Sequence, residues 1–395
     1  MTRVMVVNAG SSSVKLSLLD EEDNLIAAEE LDTPTGRLDK EAVQDFVASH
    51  GPVDAVGHRI VHGGTEFTAP VLVDARVAHR LDLLTDLAPL HQPKSLMGLE
   101  VVSSVLVDVP AVACFDTAFH ATLPAAAHTY ALPPQWRRRW DLRRFGFHGL
   151  SHSYVSRRVG QMMGESTASG APAGPEDGPH VGNTGRSQVV NEVIASLRVV
   201  TCHLGAGASL AAVRGGVSVD TTMGFTPLEG LVMATRSGSV DPGLLLWLEE
   251  HVGMPPSELA STLEHRSGLL GLTGTADMRA VLAAEEAGDE NATLAMGVYL
   301  HRLRAAIASM AAALAGVDAV AFTGGVGERS AVVRRRAAAG LGFLGIELDD
   351  AANESTRLDQ EIGAAGAEVK VFAIAAREDL EIARGVRQVL GGRSD

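Results

Sequence analysis

The sequence predicts an α/β protein made from a duplicated unit, and three observations carry that expectation. Residues 4–19, VMVVNAGSSSVKLSLL, give four apolar, mostly β-branched residues, a polar turn Asn8-Ala9-Gly10-Ser11-Ser12-Ser13, and a stretch where Val14, Leu16 and Leu18 alternate with Lys15, Ser17 and Leu19. That pattern reads strand, tight turn, strand. It recurs about half the chain further on, at 198–213, RVVTCHLGAGASLAAV, with the turn His203-Leu204-Gly205-Ala206-Gly207-Ala208-Ser209. The chain is also 395 residues long, beyond the size at which one core keeps growing, so two domains are expected. Two such hairpins heading two half-chains predict a repeated unit, with the turns facing one another across a cleft.

The turn chemistry suggests a ligand. Gly and hydroxyl residues present backbone N–H groups and side-chain donors without bulk, which suits a phosphate, and Lys15 adds a point charge beside the turn. An ordinary hairpin with a polar tip has the same pattern. Because a strand follows each turn, neither is the strand–GxxxxGK[ST]–helix loop. A net charge of −15 argues against nucleic acid or an anionic membrane as partner, since the field of the whole protein repels both. Any anion site must then be made locally positive by a few placed Arg, Lys and His.

Only Cys114 and Cys202 occur, each inside an expected buried strand, so reduced structural thiols in a reducing compartment are expected. No metal-type cysteine spacing exists. No secretory signal is expected, and the most apolar window, 305–322, is Ala-rich and interrupted by Ser309 and Asp318, which fits a core helix leading into a strand. The expectation is a soluble, cytoplasmic protein.

In chain order, 38–50 predicts a short helix and 53–60 a strand ending at Arg59, before His62-Gly63-Gly64. An Arg there fits a surface salt bridge or an anion ligand equally. Residues 76–107 predict helix broken at Pro89 and Pro93, with Leu90 and His91 at the break. Val109 to Phe115 predicts a buried strand with Asp116 at its carboxyl end, where open α/β sheets place ligands and where a helix cap is the alternative. The basic run 133–144, PPQWRRRWDLRR, suits a solvated face or a dimer contact. His58/His62 and His148/His152 are each spaced by four, but neither pair has the Glu or Cys companions of a zinc site. Residues 164–190, rich in Gly, Pro, Ser and Ala, predict a flexible insertion. In the second half, 242–252, 256–265 and 284–315 predict helices, 317–323 a strand feeding Gly324-Gly325-Val326-Gly327-Glu328, 369–374 a last strand and 377–389 a last helix.

The N-terminal block NAGSSSVK resembles that of the acetate kinases. The resemblance continues through His58-Arg59-Ile60-Val61-His62-Gly63-Gly64, Ala88-Pro89-Leu90-His91, Phe115 to His120, Phe145 to Gly149, Met223 to Gly230 and Thr323 to Glu328, covering nearly the whole chain. It implies the duplicated ribonuclease H-like (actin-like ATPase) fold, two lobes with a cleft between them. Residues 1–150 with 380–395 would form the substrate and metal lobe, and 151–379 the nucleotide lobe. The implied activity is reversible transfer of the ATP γ-phosphoryl to acetate, with Mg²⁺ or Mn²⁺, in a homodimer.

The same resemblance implies roles for individual residues. Asn8 and Glu378 would hold the metal, Lys15, Ser11 and Ser13 the phosphates; Asp116 would stand at the catalytic centre, and His148 and Arg236 would hold the transferring phosphoryl. Arg59 would bind the acceptor carboxylate, with Val61, Leu90, His91, Phe147 and Pro227 around the acyl group. The nucleotide would lie against His203, Leu204, Gly205, Ala206, Gly207, Asp277, Met278, Arg279, Gly325, Val326, Gly327, Glu328 and Arg329. Two positions depart from the family pattern, Ala206 and Arg329, where it has Asn. They leave open a phosphoryl donor other than ATP, as a propionate or butyrate acceptor, or a gated nucleotide-binding protein of the same fold, also stays open.

Overall fold

The computed structural model describes residues 3–10, 13–33, 38–87, 92–170, 194–355 and 357–392. Ser11, Leu90, His91 and residues 171–190 of the expected insertion lie outside the described residues. The chain divides into two units, Met1–Ala121 with Phe147–Tyr154 and Arg377–Asp395, and Thr122–Gly146 with Val155–Ala376.

The first unit carries a mixed sheet of β1 (Val4–Ala9), β2 (Ser13–Leu19), β3 (Leu25–Asp32), β4 (Ala55–Ile60), β5 (Val71–Leu72) and β6 (Ala111–Phe115), in the order β3-β2-β1-β4-β6-β5. β1, β4 and β6 run parallel, whereas β2, β3 and β5 are antiparallel to their neighbours. Successive residues of β1 serve opposite faces. Met5 and Val7 pack with Val43, Phe46 and Val102 of the helices Lys40–His50 and Gln92–Val105, while Val4 and Val6 pack with Ile382, Ala383 and Val386 of the helix Glu378–Gly391. A strand covered on both sides must be apolar at every position, which is why VMVV is unbroken. Gly57 lets the Glu378–Gly391 helix lie close on β4, since a Cβ there would meet Ile382 Cγ2 at 2.4 Å and Val386 Cγ2 at 2.8 Å.

The second unit repeats the plan. Its strands β7 (Arg198–Leu204), β8 (Ala208–Arg214), β9 (Val217–Thr221), β10 (Ala319–Thr323), β11 (Gln360–Glu361) and β12 (Lys370–Ala373) are ordered β11-β12-β10-β7-β8-β9. Read from the other edge, this is the first sheet's order, with β7, β10 and β12 parallel in place of β1, β4 and β6. The helix Glu290–Ala313 buries Met296, Tyr299, Leu300, Leu303 and Ile307.

Several expectations change. Pro93 sits in the first turn of the helix Gln92–Val105 rather than breaking it, because Pro lacks only an N–H that this turn leaves unbonded anyway. The helix Gly149–Gly170 runs through 164–170, the start of the expected insertion, as an already nucleated helix extends residue by residue. The helical stretch expected over 284–315, read as two helices, falls on Met278–Glu286 and Glu290–Ala313, parted at Gly288. Cys114 and Cys202 are buried and free, and burial pushes the Cys114 thiol up to about 12.

His58 stands mid-strand between Val7 of β1 and Ala113 of β6, and it is buried. Neither ring nitrogen has a partner among the described residues, and burial pushes its pKa down to about 3. An unfolded histidine takes up its proton near pH 6.5, so the unfolded chain binds more protons between that pH and about 3. Stability is therefore fully present above about pH 6.5 and is lost as pH falls through that window. His58→Leu is expected to remove about 2 kcal/mol of the stability difference between pH 8 and pH 5, read from urea unfolding. An unchanged difference would assign the acid sensitivity elsewhere.

Candidate active site

Three parallel strands of the first unit end in polar side chains. Asn8 is the penultimate residue of β1, Arg59 of β4, and Asp116 follows the last residue of β6, its N–H donating to Ile60 O at 3.0 Å. Arg59 Nε donates to Asp116 Oδ1 at 3.0 Å and Oδ2 at 3.1 Å, and Nη2 to Oδ2 at 2.6 Å. Arg59 Nη1 donates to Asn8 Oδ1 at 3.0 Å, and Asn8 Nδ2 to Glu378 Oε2 at 2.8 Å. Glu378 opens its helix and lies 3.9 Å from Arg59 Nε. Four residues distant in sequence thus form one network.

Its electrostatics are those of a buried ion pair. Burial raises the Asp116 carboxyl from its ordinary range against the pull of Arg59, and the Glu378 charge adds to the rise. Burial also works against the charge on Arg59, but Asp116 and Glu378 outweigh it and raise its pKa. Asp116 is 1% and Arg59 15% exposed, so only the arginine reaches solvent.

The neighbouring backbone is tied to this network. Gly149 N–H donates to Asp116 O at 2.9 Å, an approach open only to glycine, because a Cβ would stand 2.2 Å from that oxygen. The preceding residue, His148, is held at φ 56°, in the left-handed region. Such strain persists in a non-glycine residue only where the surroundings over-determine it. His120 Nε2 bonds Phe147 O at 3.1 Å, and His62 meets the Phe147 ring edge-on at 5.5 Å. Burial pushes His62 down to about 4, so it is neutral, and its Nδ1 accepts from Gly64 N–H at 2.9 Å. Val61 and Phe147 are buried beside these groups in sequence.

Gln92 was not found from the sequence. Fully buried, it accepts from His62 N–H through Oε1 at 3.2 Å and donates through Nε2 to His62 O at 3.2 Å and Leu81 O at 3.3 Å. Its signal is weak: one polar residue ahead of Pro93. Lys15 is exposed on β2, and the Ser13 hydroxyl donates to Glu30 at 2.6 Å.

In the second unit a cavity of about 1010 Å³ gathers Gly205, Ala206, Asp277, Met278, Arg279, Gly325, Val326 and Arg329. Tyr299, Leu269 and Glu354, which the sequence did not single out, also line it. Asp277 caps the helix Met278–Glu286 and pairs with Arg279, whose hydrogen bonds hold its carboxyl down at about 2. The turn after β7 is closed by Gly205 N–H to Gly207 O at 2.9 Å, and Ala206 O accepts from Ala234 N–H at 3.1 Å. His203, Leu204, Gly207, Gly327 and Glu328 are not among the lining residues. Arg236 Nη1 donates to Pro227 O at 3.1 Å.

One sheet order used twice, each with a glycine-bearing segment after its first strand, is the duplicated actin-like ATPase fold. Comparison with known proteins narrows this. The model of the acetokinase family matches residues 29–171 and 180–384. An acetate kinase of Microcystis aeruginosa is 44% identical over 339 residues, 86% of this chain and 78% of that protein. One from Clavibacter michiganensis is 42% identical over 415 aligned residues, 97% of this chain and 98% of the relative. The crystal structure of Porphyromonas gingivalis acetate kinase superposes with a TM-score of 0.82 at 33% identity, covering 99% of this chain and all of that one. A propionate kinase from Francisella tularensis reaches 0.83 at 30% identity, over 98% of this chain and all of its own. The chain belongs to the acetokinase family, kinases whose phosphoryl acceptor is a carboxyl group.

Removing Arg59 would leave Asp116 buried without its counter-charge. Arg59→Leu is expected to lower unfolding stability near neutral pH by about 3–5 kcal/mol. The loss should shrink as pH falls, because the stranded carboxyl, its pKa raised further, is tolerated once protonated. Adding Asp116→Asn should restore most of it. Urea unfolding at pH 5 and 8 checks this, and a loss independent of pH, or a double variant no better than the single, would contradict it.

Proposed function

We propose that this chain transfers the γ-phosphoryl of ATP to acetate, reversibly, by direct in-line displacement. A carboxylate acceptor has a pKa of about 4, so it is deprotonated at neutral pH and needs no general base. The work left is charge neutralisation and alignment. On this reading Asp116 orients Arg59 and removes no proton.

The observation that carries the reading is the donor count of Arg59. Nη1 gives one N–H to Asn8 and Nη2 gives one to Asp116, while Nε is taken by Asp116. Each terminal nitrogen carries two N–H groups, so among the described residues each keeps one for a ligand. A parallel pair of N–H donors is what bidentate binding of a carboxylate requires. His148, fixed in its strained conformation by the Gly149 anchor, and Arg236, tied to Pro227, would meet the phosphoryl group. Val61 and Phe147, buried in the first unit, would stand against the acyl methyl.

Asn8 and Glu378 offer oxygen donors and no thiolate or imidazole, a set that suits Mg²⁺ or Mn²⁺ rather than a soft metal. A cation held there would neutralise charge on the phosphate oxygens. Lys15, Ser11 and Ser13 would contact phosphates, and the cavity of the second unit would take the nucleoside. The first unit, which holds Asn8, Arg59, Asp116 and Glu378, would then serve the acceptor and metal, and the second the nucleotide. Exposed Val240, Leu244, Leu246, Trp247 and Val252 support a homodimer. The net charge and the buried free thiols fit the cytoplasm, and no helix among the described residues is long and apolar enough to cross a membrane.

Trapping acyl phosphate with hydroxylamine tests the reaction, and absence of the adduct with acetate, ATP and Mg²⁺ would refute it. The structural likeness to a propionate kinase makes the acyl group worth measuring. Acetate is expected to exceed propionate and butyrate in kcat/KM by roughly 10 to 200-fold per methylene that does not fit.

The donor side carries its own expectation. Ala206 is exposed on the cavity wall with its carbonyl fixed by Ala234, and Arg329 lines the same cavity. An amide reaching a phosphate from position 206 adds a charged hydrogen bond, roughly 1.5 to 3 kcal/mol or 10 to 150-fold. Ala206→Asn is expected to raise kcat/KM for ATP, more so with Arg329→Asn, in a double-mutant cycle across ATP, GTP and pyrophosphate. Unchanged ATP efficiency would mean the site has no need of the amide.

A further inference from the structure

Glu328 belongs to the helix Gly324–Arg329, whose Gly325, Val326 and Arg329 line the nucleotide cavity, yet Glu328 itself does not. Its backbone is held from below. Arg334, 2% exposed, donates through Nη1 to Gly327 O at 2.9 Å and Glu328 O at 2.7 Å, and through Nε to Asn353 Oδ1 at 2.8 Å. Asn353, fully buried, donates in turn to Ala331 O at 3.0 Å. A guanidinium is thus buried to satisfy the last carbonyls of the turn helix.

The Glu328 carboxylate reaches elsewhere, its Oε1 accepting from Ala376 N–H at 2.8 Å. The two preceding amides are captured as well, Ala375 N–H by Asp359 Oδ1 at 3.1 Å and Ile374 N–H by Phe322 O at 2.9 Å. Asp359 is braced by Arg158 at 2.9 Å and sits at φ 55°. Three consecutive amides after β12 are therefore fixed, two of them by carboxylates. After Ala376 the chain runs through Arg377 into the helix that Glu378 opens.

We propose that Glu328 and Asp359 are positioning residues that fix the backbone delivering Glu378, and that Glu328 makes the metal requirement answer to the nucleotide turn. This rests on the reading of Glu378 as a ligand of the divalent cation. Asp359 lies outside the nucleotide turn, which separates the two effects. An N–H held by a carboxylate is a charge-assisted bond, so its loss frees the segment ahead of the metal ligand.

The test uses the full-length protein, with ADP affinity measured by calorimetry with and without Mg²⁺ and the Mg²⁺ concentration for half-maximal activity measured beside it. Glu328→Ala and Asp359→Gly, the glycine keeping the positive φ, should each raise that concentration on the order of tenfold and reduce the Mg²⁺-dependent gain in ADP affinity. Metal-free ADP affinity should be unchanged in Asp359→Gly. Glu328→Gln, which keeps an acceptor oxygen, should return the Mg²⁺ requirement to within a few-fold of wild type. The proposal is overturned if neither variant moves the Mg²⁺ requirement, or if Asp359→Gly lowers Tm and activity alone. Should Glu328→Ala not fold, Asp359→Gly and Glu328→Gln still decide it. Glu378→Gln is the control: if it leaves the Mg²⁺ requirement unchanged, the reading of Glu378 as ligand fails, whereas a shift there without one in Asp359→Gly defeats only the positioning argument.

Discussion

The buried pair of Arg59 and Asp116 is the interaction on which the rest of the first unit depends. A buried ion pair is weak evidence for stability, because desolvating both charges offsets most of their attraction. What the pair provides is orientation. Nε and Nη2 hold the guanidinium plane against one carboxylate and Nη1 holds it against Asn8, so its two remaining N–H groups have a fixed direction before any ligand arrives. In the proposed reading a small anion would be met by these oriented N–H donors rather than by net positive charge, since Arg59 is paired with Asp116 and lies 3.9 Å from Glu378.

The sheet explains why the charges sit where they do. β1, β4 and β6 are covered on both faces, so none of their interior positions tolerates a charge, and polar side chains collect at the carboxyl ends. His58 is the exception. It occupies an interior position of β4, where burial holds its pKa far below the ordinary value and so favours the neutral ring.

Much of this was legible in the residues. Apolar, largely β-branched stretches marked β1, β4, β6, β7 and β10, those of β4 and β7 interrupted by polar residues, and the two glycine-rich turns marked the repeat. β3 and β9 were not legible because they are edge strands with little to bury: Leu25, Ile26 and Val217 are exposed and leave no alternation to read. Long-range polar ties were also hidden. Nothing near Gln92 announces that it will bracket His62, and nothing near Glu328 announces Ala376, because such bonds are set by tertiary approach rather than by local pattern. The proposal of Glu378 as a metal ligand rests on the family resemblance, since a Glu opening a helix carries no such signal of its own.

The duplication then shows how one backbone plan carries two different sets of groups at its strand ends. In the first unit, β1, β4 and β6 end in Asn8, Arg59 and Asp116, and the product is a network of charges. In the second, the equivalent strands β7, β10 and β12 end near Leu204, Thr323 and Ala373, with glycines after two of them. Without side chains to fill the space, the backbone turns border a cavity of about 1010 Å³ instead. Arg334 and Asn353 lie behind the glycine-rich turn and bond its carbonyls rather than a ligand. Charge stands at the strand ends of the first unit, whereas glycine backbone follows two of the equivalent strands of the second.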